Sequence, residues 1–124
     1  MQKGYVYRNG ILSGIIHKDD SGTIPLYTFT YTEEYLHMKG SRPISVNFPM
    51  QSEPFESHIL FAFFSNMLAE GNTKTLQCQQ LHIDEEDLFT RLLKTTSVNT
   101  IGAVTVTDEI PKHTSSDLER GDIL

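Results

Sequence analysis

The side chains able to do chemistry in this sequence are present, but not in the spacing that chemistry needs. Asp84-Glu85-Glu86-Asp87 is a carboxylate run of the type that holds a divalent cation. The five histidines, His17, His37, His58, His82 and His113, are candidates for zinc ligation or proton transfer. They form neither H-x-H nor H-E-x-x-H, the spacings that put two imidazoles on one point. Ser13, Ser21 and Ser65 lack the G-x-S-x-G context that lifts a serine hydroxyl out of a strand–turn–helix elbow. The single thiol, Cys78, has no Lys, Arg or His within two residues to stabilise its thiolate, and reads as a small residue inside a helix. The sequence contains no Walker motif, G-x-G-x-x-G, H-R-D or D-F-G, and Gly10 and Gly14 belong to a hairpin. The sequence therefore predicts no catalytic residue, no bound cofactor and no metal.

A simpler account of the carboxylate run is a helix start. Asp84 is the predicted N-cap, Glu85, Glu86 and Asp87 fill the first turn, and Arg91 and Lys94 lie near the end, the charge order favoured by the helix dipole. Leu88, Phe89, Leu92 and Leu93 are its predicted apolar face. The chemistry left over is recognition. Leu60, Phe63, Phe64, Met67 and Leu68 recur at i, i+3, i+4, i+7 and i+8, which predicts an amphipathic helix starting at His58, capped by Ser57 and ended by Gly71. Most of that stripe is core. Phe61 widens it, however, and an aromatic flank left at a rim is what protein-binding hot spots are made of. The candidate partner-binding residues are Phe61, Phe63 and Phe64, with Asn66 and Glu70 as polar companions. The competing roles are core packing for the phenylalanines, helix-end hydrogen bonding for Asn66 and plain solvation for Glu70.

Several strands must position these elements. Tyr5-Val6-Tyr7-Arg8 is rich in β-formers, and Asn9-Gly10 is a strong type I′ hairpin signal leading into a return strand, Ile11 to His17. Gly14 within it predicts a bulge or bend. Asp19-Asp20-Ser21-Gly22 predicts a turn. Thr23 to Tyr31 alternates with aromatic or apolar side chains on both faces, as in a small closed sheet. Ile44 to Phe48 predicts a short strand, residues 50–57 an ordered loop, Thr73 the cap of a short helix bearing Leu76 and Leu81, and Thr100 to Thr107 a closing strand.

Length and charge bound the rest. The 124 residues fit one domain of residues 1–107 followed by a flexible acidic tail, 108–124, with five acidic and two basic side chains. A net charge of −6 disfavours autonomous nucleic-acid binding, since few cations face phosphate. No run of eighteen apolar residues spans a membrane, and Met1-Gln2-Lys3-Gly4-Tyr5 has no apolar signal core. A single cysteine fits a reducing compartment, so the expected location is cytoplasmic.

Four segments in order resemble one family. Tyr5-Val6 with Asn9-Gly10, then Arg42-Pro43-Ile44-Ser45, then Phe63 to Gly71, then Gly102-Ala103-Val104 are similar to the Y-V-x-x-N-G, R-P-L-S, FF-x-N-L-L-P-E-G and G-A-V segments of the N-terminal domain of HipA-type toxin kinases. The likeness covers residues 4–107 and departs at Ala69, where the family usually carries proline. It implies an α+β fold: a small antiparallel β-barrel or sheet with two or three helices alongside, closed by a late strand. In the family a large catalytic region follows. The sequence ends at Leu124, so the resemblance implies a front domain living as a separate polypeptide, similar to the HipS antitoxins of three-component systems. Its expected role is to bind and restrain a HipA-like Ser/Thr kinase that lacks its own N-terminal domain. The alternative is an assembly adaptor linking such a kinase to a helix-turn-helix DNA-binding repressor without inhibiting it.

Overall fold

A computed structural model describes residues 2–96 and 103–111 of the chain. Its first unit is the hairpin of β1 (Gln2–Arg8) and β2 (Ile11–Asp19). Asn9 and Gly10 take φ of 53° and 79°, the two positive values that a type I′ turn requires. The register runs from Gln2↔Lys18 to Val6↔Gly14 and then slips to Tyr7↔Leu12, leaving Ser13 as the extra residue of a bulge. Ser13 is fully buried; its hydroxyl donates to the Ile11 carbonyl at 2.9 Å, and its own carbonyl accepts from Thr32 N–H at 3.0 Å. The turn after β2 is held by Asp19, whose Oδ1 accepts from both the amide and the hydroxyl of Ser21.

β3 (Leu26–Tyr31), β4 (Phe55–Ser57) and β5 (Val104–Thr107) complete an antiparallel sheet of order β4-β3-β2-β1-β5. The sheet is open and does not close into the barrel that the sequence allowed. Only one face of β3 is buried: Tyr27, Phe29 and Tyr31 point inward, while Leu26, Thr28 and Thr30 stay half-exposed. With three and four residues, β4 and β5 form opposite edges. The late strand extends the sheet beside β1 rather than sealing it. Residues 100–102 of the predicted closing strand, Gly102 of the family segment, His113 and the tail from residue 112 lie outside the described residues.

Among the described residues four helices accompany the sheet: α1 (Glu33–His37), α2 (Ala62–Ser65), α3 (Gly71–Leu81) and α4 (Leu88–Thr95). Tyr35 of α1, Phe64 of α2, and Phe89, Leu92 and Leu93 of α4 share one core with Val6, Ile16, Phe29 and Val106. α1 starts at Thr32, whose hydroxyl accepts from Tyr35 N–H at 3.1 Å.

Local expectations shift in several places. The cap of α4 is Asp87, which accepts from Thr90 N–H at 3.2 Å and from its hydroxyl at 2.8 Å; Asp84 instead holds a turn by accepting from Glu86 N–H. Leu88 is exposed rather than part of the apolar face. α3 begins before Thr73, with Glu70 at its N-cap, and leaves Leu76 and Leu81 exposed with Cys78 its one buried residue. The long helix from His58 does not form. Ser57 ends β4, the His58 ring bonds the Pro25 carbonyl, and the chain bends at residues 58–59 before Phe61 caps α2, which holds four residues. Gly71 has the left-handed φ of +62° but heads α3 instead of stopping a helix. Ile44 to Phe48 is a loop with buried ends and Val46 93% exposed, because both ends are tied to a tyrosine hydroxyl and not to a neighbouring strand.

Candidate functional site

The aromatic residues meet beside β4. Phe48 is buried between them, with ring centroids 5.1 Å from Phe55, 5.2 Å from Phe61 and 5.8 Å from Phe64. Most of these pairs are edge-on or tilted, the arrangement that ring quadrupoles favour. Above them lies an open groove of about 230 Å³, lined by Asn47, Phe48, Phe55, Glu56, Phe61, Ala62 and Phe63.

Three separate stretches build this groove, and each has a local reason for its position. The 44–48 loop is pinned by Tyr31, whose hydroxyl donates to the Phe48 carbonyl and accepts from Ile44 N–H at 3.0 Å. Tyr35 stacks on Tyr31 at 5.9 Å with planes 11° apart, and its hydroxyl donates to the Arg42 carbonyl. β4 brings Phe55 opposite Phe29. The segment before α2 brings Phe61 and Phe63, and the far side of that segment is anchored by Arg91. This arginine is buried, and its guanidinium donates to the carbonyls of Ala69 at 2.8 Å and Glu85 at 3.2 Å.

Of the residues singled out in the sequence, Phe61 and Phe63 wall the groove and are half-buried. Phe64 turns away into the core and is fully buried. Asn66 is exposed at the C-cap of α2, where its backbone N–H bonds the Ala62 carbonyl at 2.9 Å, and Glu70 is exposed at the head of α3. Neither lines the groove. The sequence reading missed Asn47, Phe48, Phe55, Glu56 and Ala62. The available signal was the two further phenylalanines between Ile44 and Ser57, in segments read as a strand and a loop.

Electrostatically the groove is nearly neutral apart from one carboxylate. Glu56 is exposed and has no ion pair among the described residues. Burial pushes the Tyr31 phenol above its ordinary value, opposed by the hydrogen bond from Ile44 N–H. On the sheet face away from the core, in line with Thr28 and Glu56, His17 is held below the usual imidazole range by burial and then by Lys3, its cross-strand neighbour. Among the described residues no three His, Cys, Asp or Glu side chains gather as a metal site, and no helix is long and apolar enough to cross a membrane. The Asp84–Asp87 run is engaged in turn and cap bonds, with Glu85 3.8 Å from Lys74.

An open antiparallel sheet covered by helices, with an aromatic recess at an edge strand, defines a small α+β domain. The chain belongs to the HipA N-terminal domain family, whose model matches residues 4–107. A solved structure described as the N-terminal domain of HipA toxin superposes with a TM-score of 0.62 at 25% identity, covering 90% of this chain and 96% of the other. An uncharacterized protein of Haemophilus influenzae (strain Rd) is 31% identical over 109 residues, which cover 88% of this chain and 94% of the relative.

Proposed function

We propose that this chain is a non-catalytic antitoxin subunit that binds and restrains a HipA-like Ser/Thr toxin kinase lacking its own N-terminal domain. The observation that carries the reading is the family match, which runs through residues 4–107 and therefore through nearly every described element. The Haemophilus influenzae relative adds to it, because the alignment spans nearly its whole length as well. The physical role follows from linkage: a bound domain inhibits by the amount that it prefers the inactive state of the kinase over the active one. The groove is the proposed contact, since half-buried aromatics at a rim are where binding energy concentrates. Catalysis stays with the kinase, and both act in the cytoplasm.

The test is co-expression and titration with the truncated HipA-like kinase of the same genome. A stable complex, relief of kinase toxicity and reduced phosphorylation are expected. Phosphorylation unchanged at saturating chain overturns the restraint. If the complex forms in that case but operator binding by an associated repressor depends on this chain, the assembly-adaptor role is the correct one.

A further inference from the structure

The sheet has two edges, and among the described residues only one is covered. At β5, the Val106 N–H donates to the Thr96 carbonyl at 3.1 Å, and the Val106 carbonyl accepts from the Thr96 hydroxyl at 3.3 Å. The end of α4 therefore closes that side. β4 pairs with β3 on its inner side alone. Among the described residues no backbone bond outside the ladder reaches Phe55, Glu56 or Ser57, and the Ser57 hydroxyl merely accepts from Ile59 N–H at 3.2 Å. An edge strand with free main-chain groups is a template for another strand.

The surroundings of β4 specify what would pair there. Phe55 and Ser57 turn toward the packed side and Glu56 to the exposed one. A strand added alongside places its own side chains with the same period of two. One set meets Phe55 and the groove walls of Phe61 and Phe63; the other lies beside Glu56. Ile59, 75% exposed, extends the apolar surface just beyond the strand. No basic residue lines the groove, and the chain carries a net charge of −6. A second copy of this chain fits poorly, because antiparallel pairing of two such short edges sets Glu56 near Glu56, and like charges across a pair are destabilising.

We propose that β4 is the docking edge for an extended segment of the partner kinase with alternating apolar and basic residues. One apolar side chain of that segment enters the groove, and a neighbouring lysine or arginine pairs with Glu56. This rests on the kinase-binding reading above.

The probe is a synthetic, end-blocked heptapeptide alternating arginine with valine and leucine, added to the full chain. Amide exchange at residues 55–57 is expected to slow at least tenfold, with shifts at Phe61 and Phe63. Two surface changes, Glu56→Lys and Ala62→Arg, are expected to weaken peptide binding at least tenfold while leaving the melting temperature unchanged. The same changes are expected to weaken the complex with the truncated kinase. Peptide protection elsewhere, an equal response to a glutamate-for-arginine peptide, or a dimer of the chain formed through β4 overturns the proposal. A kinase complex indifferent to both substitutions overturns the docking edge and leaves the subunit reading standing. Absence of any kinase complex overturns the subunit reading and with it the proposed occupant.

Discussion

The hydroxyl of Tyr31 donates to the main-chain carbonyl of Phe48, 17 residues further along the chain, and accepts from Ile44 N–H at 3.0 Å. One buried side chain in β3 thus satisfies both ends of the loop that floors the groove. A loop with buried ends needs such partners, because an unpaired buried peptide group is costly. Tyr31→Phe keeps the ring and leaves two main-chain groups unpaired. The expected loss is about 1–3 kcal/mol, read by urea denaturation.

The same residue sets an alkaline limit. Burial raises the Tyr31 phenol above 10.0 in the folded chain. The native state therefore holds the neutral phenol more tightly than the unfolded state does. This contribution is fully present below pH 10 and is lost as pH rises through the folded value. Urea midpoints are expected to be flat in this respect up to about pH 9 and to fall above pH 10, with a shallower fall in Tyr31→Phe.

Phe63 and Phe64 are adjacent but divide their roles. Phe64 is fully buried against Phe29 and Phe48, so Phe64→Ala is expected to destabilise the fold by about 3–5 kcal/mol. Phe63 is half-buried on the groove wall, so Phe63→Ala is expected to cost less stability and to weaken partner binding about tenfold, or about 1.4 kcal/mol. Paired denaturation and binding titrations separate the two effects.

Gly14 is where the bulge brings β2 against a ring. A Cβ there would lie 2.6 Å from two Phe29 ring atoms and 2.7 Å from the Thr30 carbonyl oxygen. Neither a packed ring nor backbone moves cheaply, so Gly14→Ala is expected to cost about 1–3 kcal/mol. Gly22→Ala is the control. Its nearest neighbour is 4.0 Å away, and the change is expected to be neutral or stabilising by up to about 1 kcal/mol. Thermal melts of the two variants check the contrast.

Arg91 is the buried cation that ties three segments together. Arg91→Met preserves much of the stem volume and removes the donors to Ala69 and Glu85. A loss of about 2–3 kcal/mol is expected, since hydrogen bonds from a charged donor are the stronger kind. Hydrogen exchange in residues 66–70 is expected to speed up before global unfolding.

The parts of this protein legible in its sequence are those decided within a few residues. Asn9-Gly10 specifies its hairpin because both positions must take positive φ, and Gly14 announces the bulge beside it. Phe89, Leu92 and Leu93 recur at helical spacing and are buried. The ordered segments shared with the HipA N-terminal domain family reveal the fold class. The α+β architecture was therefore readable; that Phe61 and Phe63 would wall a groove was not, since the sequence offered them only as aromatic flank residues of a helix. The helix predicted from His58 shows the limit: periodicity tells which side chains share a helix face, but here the helix is four residues long and Phe64 alone of it is buried.

Only tertiary structure decided that the sheet stays open, that β4 exists, and that Phe48 and Phe55 join the groove. Each depends on contacts distant along the chain: Tyr31 with Phe48, Phe55 with Phe29, and Arg91 with Ala69. Local propensity carries no information about which remote hydroxyl or guanidinium will satisfy a carbonyl. A segment whose main-chain groups are met from elsewhere is free to abandon the strand or helix that its own pattern favours.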